Sequence, residues 1–509
     1  MPAPATRLGV VVFTCGAATL ATEIAASRLL APFFGSSTIV WANIIGLILI
    51  YLSVGYWYGG RIADRHPSPR RLGLIILVAA GIIALLPFIA RPLLRLALSA
   101  FSSVSAGAAV ASFFATMVLF SVPVTLLGMV SPFAVRLAVD DVSRAGTVAG
   151  RLYALSTIGS IAGTFLPALV TIPLIGTQRT MLGAAAALCM GAAVLLRRHA
   201  VVALALIAVL ILVPPGTVKE RAGLIVERES AEQFIQVVGE PDGARNLALN
   251  EGVTAHSVWR RDEVLTGGEW DMFLIVPPLI RHPVRRILIL GNAGGTTARA
   301  LGRFEPEAEI DGVEVDPEVT ALGRRWLGLG DNPRLVTHDG DARTFLELSH
   351  DRWDMIVVDA YRQPYIPFQL ATREFFTLAR EHLQSGGRLA LNVERIPGDE
   401  RLAHAIEATL SGVFPQVWRW PALRFNELVV TGDGDAASPP AVGEVDPQLR
   451  PLADLYNRDT VAGDRSAQQM TDDRAPLEWL TDRSILEYIA AGGALDEQLL
   501  PTHPAFRAR

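Results

Sequence analysis

The chain reads as a multi-pass α-helical membrane domain followed by an α/β, Rossmann-like domain that carries a small β subdomain at its front. Three observations predict this. Apolar residues crowd into the first 215 positions. After Pro214-Pro215-Gly216 the composition becomes that of a soluble chain. From Arg286 to about Val430, strand-like runs alternate with helical ones, the pattern of a mostly parallel sheet with helices on both faces. The expected boundaries are 1–215 for a membrane domain of about seven spans and 216–285 for the β subdomain. The α/β domain follows at 286–435, and 436–509 forms a loop and a C-terminal helical tail.

The overall composition agrees. A hydrophobic content of 51% and a mean hydropathy of +0.36 are high for a soluble protein. A net charge of −5, with no basic cluster interleaved with aromatics in the second half, argues against nucleic acid as a partner. Cys15 and Cys189 each lie inside an apolar run, which excludes a disulfide framework or a cysteine zinc site. No metal centre is expected. The first apolar run is long, carries Glu23 and Arg28, and leads straight into further spans, unlike a cleavable signal peptide.

Runs long enough to cross a bilayer lie near 8–30, 39–59, 72–90, 107–130 and 152–175. Shorter ones near 180–196 and 200–215 are separated by Arg197-Arg198-His199. Arg61, Arg65, Arg70 and Arg71 cluster in one loop and Arg136, Arg144 and Arg151 in another. The positive-inside rule puts both in the cytoplasm, beside Arg7 and the N-terminus of an inner-membrane protein. The stretch Gly60-Arg-Ile-Ala-Asp-Arg65 resembles the loop after the second span of major facilitator transporters, over a short match. Ser156, Gly159, Ser160 and Gly163 in the fifth run suit close helix packing. Glu23, costly inside an apolar run, faces either a polar cavity or a structural hydrogen bond, while Arg28 is placed to snorkel. Seven spans from a cytoplasmic N-terminus leave the second half outside. An extra span within 92–130, or a last run that does not cross, restores the cytoplasmic side that nucleoside chemistry favours.

In the second half, residues 224–270 read as short strands with turns such as Pro241-Asp242-Gly243. The strand Ile287-Leu-Ile-Leu290 then runs into the turn Gly291-Asn-Ala-Gly-Gly295 and a helix from about Thr296. Three further strands end at Glu314, Asp341 and Asp359. Ligands of such sheets bind beyond the carboxyl ends of the strands, where Gly291, Asn292, Gly294, Gly295 and the three acids all fall. Backbone amides of the glycine turn can approach a polar ligand, and an acid after the second strand can accept ribose hydroxyls. Asp341 either accepts from an adenine amine or caps the next helix. Glycines alone serve turn geometry equally well; the ordered set points to an adenosine-type ligand and makes 286–435 a nucleoside-binding catalytic domain.

These residues resemble the spermidine synthase (polyamine aminopropyltransferase) family, in a membrane-fused bacterial form with a class I methyltransferase-type sheet. The matching pieces are Glu229-Ser-Ala-Glu-Gln233, Leu290-Gly-Asn-Ala-Gly-Gly295, Val313-Glu-Val-Asp316, Gly340-Asp-Ala342, Val358-Asp359 and Thr372-Arg-Glu-Phe-Phe376. The resemblance implies that Gln233, Glu314 and Asp341 hold the thioadenosine part of a co-substrate, with Asp316 and Ala342 beside them. It also makes Asp359 the catalytic base. That co-substrate is decarboxylated S-adenosylmethionine or S-adenosylmethionine, and no permanently bound cofactor is implied. An amine is the acceptor, the bilayer is a partner of the first half, and a homodimer stays open.

The chain also departs from the family. Ala293 stands where an acid is usual in the glycine turn, and Arg362 stands where a second acid follows the base. Trp270-Asp271-Met272 replaces a Tyr-His-Glu or Tyr-Gln-Glu segment. Trp270, Asp271, Tyr361 and Arg362 become the acceptor-side candidates, with Asp271 restoring a carboxylate for an ammonium group and Trp270 covering the alkyl chain. Arg362 either binds a carboxylate or faces solvent. Two alternatives keep the same sheet: an S-adenosylmethionine-dependent methyltransferase, and a nucleoside- or polyamine-binding transporter-like protein without turnover.

Overall fold

A computed structural model describes residues 4–35, 37–101, 107–250, 254–362, 365–433 and 439–493. The chain divides into two compact units, Met1–Glu220 with Glu229–Phe234, and Arg221–Arg228 with Ile235–Arg509.

The first unit is helical: α1 (Pro4–Phe34), α2 (Thr38–Arg65), α3 (Pro69–Phe101), α4 (Gly107–Gly128), α5 (Val130–Ala138), α6 (Ala145–Leu166), α7 (Ile172–Ala193) and α8 (Arg197–Ile211). Among the described residues, five helical stretches are long and apolar enough to cross a membrane. The last, Val142–Ala193, runs for 52 residues. At 1.5 Å per residue, about 78 Å, it is more than twice a bilayer's hydrocarbon thickness. It resolves into two limbs, because a π-helical turn at Pro167–Thr171 leads to Gly176, whose φ of +79° no helix continues through. Those limbs are the fifth and sixth expected runs. The extra span considered within 92–130 does not occur among the described residues, which α3 and α4 occupy.

Small residues set how these helices meet. Gly159 and Gly163 of α6 lie directly against the Phe13 and Ala17 carbonyls of α1, leaving no room for a Cβ, and Ser160 Oγ donates to Gly16 O at 3.3 Å. The pairing 13 with 159 and 17 with 163 makes α1 and α6 parallel. In the same way Gly55 and Gly59 of α2 abut Thr125 and Met129, making α2 parallel to α4 and its continuation. Arg136 pairs with Asp64 at 3.4 Å, so the two basic segments share one end of the bundle. The chain leaves from the other end: Arg91 and Arg95, far along α3, donate to Gly216 O (2.9 Å) and Val218 O (3.4 Å), and Lys219 Nζ reaches Pro32 O at 3.3 Å. Two expectations are corrected. Residues 60–65 are the last turns of α2, not a loop, and Arg28 does not simply snorkel, because its guanidinium donates to Ala231 O. Glu23 is half-buried on α1.

The second half opens with a four-stranded sheet, β1 (Leu224–Glu229), β2 (Phe234–Gly239), β3 (Arg245–Leu249) and β4 (Ser257–Trp259), in that order. The predicted turn joins β2 to β3, with Asp242 Oδ1 accepting from Ala244 N at 3.0 Å. The larger sheet contains β5 (Arg286–Leu290), β6 (Glu309–Glu314), β7 (Leu335–Asp339), β8 (Trp353–Val358), β9 (Leu383–Glu394), β10 (Gln416–Trp420), β11 (Asn426–Gly432) and β12 (Val461–Ala462). Its order is β12-β10-β11-β9-β8-β5-β6-β7. Strands β5 to β9 pair in parallel, while β11, β10 and β12 are antiparallel at one edge. This is the class I methyltransferase-type arrangement. The helices are α9 (Thr296–Phe304), α10 (Pro317–Trp326), α11 (Ala342–Leu348), α12 (Arg373–Glu381), α13 (Arg401–Ser411), α14 (Arg450–Asp459) and α15 (Leu477–Ala490).

Every residue of β8 is buried, as expected for a strand covered on both faces. Ile287, Ile289, Met355 and Val357 pack one side with α9, α14 and Met272–Val276. Leu288, Leu290, Ile356 and Val358 pack the other with α11, α12 and α13. The final helix begins at Leu477, five residues before the expected Asp482, with Pro476 as its N-cap and Pro476 O accepting from Leu480 N at 3.0 Å. Part of the expected 436–444 loop lies outside the described residues; 439–444 has no regular structure.

Candidate active site

The order of the parallel strands reverses at β5, which pairs with β6 on one side and β8 on the other. Ligands of open α/β sheets bind at such a switch point. Here Gly291 follows β5 with φ +94°, and a Cβ on it would lie 2.5 Å from Asp359 O and 2.6 Å from Ala360 N. Only glycine lets these two strand ends close together. The turn continues through Ala293, a non-glycine at φ +44°, and Gly294, which lies against Ser257, to Gly295 at φ +87°, which starts α9.

Asn292 is 3% exposed, yet among the described residues neither its Oδ1 nor its Nδ2 has a partner. Its side chain lies over Gly312, where a Cβ would stand 2.7 Å from Asn292 Cγ. An unsatisfied buried amide is expensive, so this group suits a ligand with its own donors and acceptors. Beside it, Glu314 at the end of β6 is 8% exposed. Its Oε2 accepts from Ala293 N at 2.9 Å and its Oε1 from Asp316 N at 3.1 Å. Burial pushes this carboxyl up to about 7 against those backbone bonds. The carboxyl keeps acceptor capacity for a ligand hydroxyl. Gly340 N donates to Glu314 O at 2.8 Å, tying the ends of β6 and β7 and bringing Asp341 alongside. Val315, 46% exposed between two buried acids, adds apolar surface.

Three expected ligand contacts have structural work instead or as well. Asp341 Oδ1 caps α11 by accepting from Thr344 N at 2.9 Å, and Ala342 is that helix's first residue. Asp316, 1% exposed, caps α10 through Glu318 N at 3.0 Å while its own N holds Glu314. Gln233 groups with the first unit; its N donates to Ser230 Oγ at 2.9 Å, and its side chain is buried.

Asp359 sits at the end of β8, half-buried. Its Oδ1 accepts from Asn392 Nδ2 at 3.0 Å, and its N donates to Leu290 O at 2.9 Å. Burial pushes its carboxyl up to about 7, against the lowering effect of the Asn392 bond. Asn392, 4% exposed on β9, is oriented in turn by Asn426 Nδ2, which donates to its Oδ1 at 2.9 Å. That leaves the Asn392 amide N–H to face Asp359. Glu394, two residues on, has a buried Oε2 without a partner among the described residues and a carboxyl raised by burial to about 8.

The acceptor-side candidates separate. Tyr361 Oη donates to Asn392 O at 3.0 Å and accepts from Glu394 N at 2.8 Å, so its hydroxyl clamps β9 rather than reaching for substrate. Asp359, Glu394 and Glu269 all raise the Tyr361 hydroxyl, burial being the larger cause. Asp271 is 2% exposed, and its carboxylate accepts from Gly267 N (2.7 Å) and Thr266 N (3.3 Å). It therefore holds its own turn together, work that competes with the expected ammonium-binding role. Trp270, 6% exposed, packs beneath Gly268 as a core residue. Arg362 is exposed, and its backbone pairs with Tyr365. Sequence reasoning followed acids only to the fourth strand and so missed Asn392, Glu394, Glu269 and Asn426. The signal was present: Asn392-Val-Glu394 ends the next parallel strand.

Residues 272–421 match the model of the spermine/spermidine synthase domain. A probable polyamine aminopropyl transferase of Bifidobacterium longum (strain NCC 2705) is 31% identical over 300 residues, covering 54% of this chain and 66% of that protein. A polyamine aminopropyltransferase of Vibrio vulnificus (strain CMCP6) is 37% identical over 110 residues, 21% of this chain and 37% of the relative. The chain thus spans just under two thirds of the first and little over a third of the second. The crystal structure of a probable spermidine synthase from Corynebacterium glutamicum ATCC 13032 is similar at 18% identity and a TM-score of 0.40, over 55% of this chain and 98% of that one.

Proposed function

We infer, from the membership of residues 272–421 in the spermine/spermidine synthase domain family, that this chain is an aminopropyltransferase. It moves an aminopropyl group from decarboxylated S-adenosylmethionine to an amine. The observation that carries the reading is Asp359: a half-buried carboxyl at the switch point, raised to about 7 and held by a single amide. Glu314, the Asn292 amide and the glycine turn form the thioadenosine side, and Asp341 closes it beside the exposed Val315. Glu394 and Glu269, clustered around Tyr361 with Asp359, form the acceptor side in place of the acid absent at Arg362.

In the reaction the acceptor nitrogen attacks the methylene carbon next to the sulfonium. The carbon–sulfur bond breaks, its electron pair stays on sulfur, and methylthioadenosine leaves as a neutral thioether. The new C–N bond leaves an extra proton on nitrogen. An alkylamine with a pKa near 10.4 is protonated at neutral pH, so a carboxylate must orient it and relay its proton. Asp359 is suited to that exchange because its own proton affinity is raised toward neutrality. Incubation of the purified chain with either sulfonium donor and a set of amines tests this. Methylthioadenosine as product supports aminopropyl transfer, and S-adenosylhomocysteine would mean methyl transfer.

The first unit is read as an inner-membrane, multi-pass bundle on the strength of its five long apolar stretches. Its arginine-rich end is cytoplasmic by the positive-inside rule. The chain leaves at Gly216 from the opposite end. That supports a second unit outside the cytoplasm, against the cytoplasmic placement that nucleoside chemistry suggests. A C-terminal phosphatase fusion that is active would agree; an inactive one would refute this placement. The assay on purified protein does not depend on the side.

A further inference from the structure

We propose that α15 fixes the acceptor side of the site, with Asp482 as a positioning residue acting through Tyr365; this rests on the aminopropyltransferase reading. The helix makes polar contacts with three segments, each beyond the carboxyl end of a strand or in the turn that feeds one. Tyr365 Oη donates to Asp482 Oδ1 at 2.5 Å. Tyr365 is also locked to Arg362 through reciprocal backbone bonds of 2.8 and 3.0 Å, so the anchor reaches within three residues of Asp359. Ser484 Oγ donates to Asp399 Oδ2 at 2.6 Å, and Asp399 N closes a turn on Ile396 O at 2.9 Å, just after Glu394. Arg401, paired with Asp399, also reaches Glu487 at 2.5 Å. Finally Arg424 donates to Tyr488 Oη at 2.5 Å, and the Phe425 ring lies 5.9 Å from that of Tyr488. Phe425 O receives Arg395 N at 2.8 Å, and the next residue, Asn426, orients Asn392.

One helix therefore holds the segments that follow Asp359 and Glu394 and the turn that precedes Asn426. Its first turn enters the core through Leu477, 1% exposed, with Leu480 packed beside it; beyond that its attachment is polar, with Thr481 and Ser484 facing inward at 2% exposure each, while Trp479 is 58% exposed. The part held by polar contacts opens at lower cost than its core-seated first turn, and such elements commonly set how a site assembles. Asp482 is half-buried, with its carboxyl raised by burial and lowered by the Tyr365 bond. A neutral amide oxygen at the same position accepts the same hydrogen bond; an alkyl group does not.

The test uses the full chain with Asp482→Asn, Asp482→Leu, Tyr365→Phe and the Tyr365→Phe/Asp482→Leu double variant. Amide hydrogen exchange is followed in peptides covering Ile366–Ala371. Asp482→Leu and Tyr365→Phe should each speed exchange there at least about tenfold, as loss of a hydrogen bond to a charged group implies. Both should raise the acceptor KM by about tenfold while methylthioadenosine affinity stays within about twofold. Asp482→Asn should restore most of both, and the double variant should be no worse than either single. Unchanged exchange in the two single variants would overturn the proposal. So would a loss of methylthioadenosine affinity as large as the rise in acceptor KM, the mark of general destabilisation. If the unaltered chain shows no aminopropyl transfer, the functional reading fails, and the exchange data still decide whether Asp482 positions Tyr365.

Discussion

Replacing Asp359 by Asn should remove turnover and, at alkaline pH, stabilise the second unit. The amide is nearly isosteric, and its oxygen can still accept from Asn392 Nδ2, now 3.0 Å from the carboxylate. Loss of a positioned general base costs on the order of 10²- to 10⁴-fold in rate. The stability effect follows from the raised carboxyl. Its folded value of about 7 lies above the ordinary 3.8, so the folded chain holds a proton that the unfolded chain releases between those pH values. Stability contributed by this group is complete below about 4 and falls as pH rises to about 7. Fully expressed, the loss is about 4 kcal/mol, an upper value because the strand end can relax toward solvent. Asp359→Asn has no such loss. The two proteins should melt alike at pH 4.5, and the variant should melt several degrees higher at pH 8. Turnover is read as methylthioadenosine released, and stability as the thermal transition of the second unit at each pH. Near-normal turnover would reduce Asp359 to a structural residue. A stability difference independent of pH would refute the raised carboxyl.

Other expectations follow from the same geometry. In the unaltered chain, kcat/KM should rise about tenfold per pH unit below about 7 and level off above it, because the base must be unprotonated. Asn392→Leu removes the bond that lowers the Asp359 carboxyl, so the rise should move to higher pH, with activity lost at pH 7 and partly recovered at pH 9; an unshifted profile would rule out that coupling. Glu314→Ala should weaken methylthioadenosine binding at least about tenfold by calorimetry. Asp341→Ser, which keeps the cap on α11, should do the same, whereas unchanged affinity in Asp341→Ser would leave Asp341 a cap alone. Asp271→Ala should destabilise the second unit by about 1–3 kcal/mol without changing the acceptor KM, since its oxygens hold Thr266 and Gly267.

The fold was legible because period and punctuation agree. β5 and β8 are short, mostly apolar runs followed by glycine and an acid, β6 ends in an acid, and Pro317, Asp341 and Thr372 mark helix starts. The positions proposed for the thioadenosine side were legible for the same reason: Gly291 follows β5, Glu314 ends β6 and Asp341 stands two residues past β7. The acceptor side was not. Asp271 looks like a free carboxylate in a polar turn, and only the backward path of that turn shows that it serves Thr266 and Gly267. Tyr361 and Glu394 are 33 positions apart and meet because β8 and β9 are neighbours, a pairing no local pattern records. The break at Gly176 was hidden by unbroken apolar sequence on both sides.

The most direct measurement is the mass gained by the acceptor amine after incubation with the purified chain and decarboxylated S-adenosylmethionine. The structure predicts an increment of one aminopropyl group, one methylthioadenosine per amine modified, and loss of both in Asp359→Asn. A methyl increment with S-adenosylmethionine as donor, or bound methylthioadenosine with no modified amine under any condition, would contradict aminopropyl transfer.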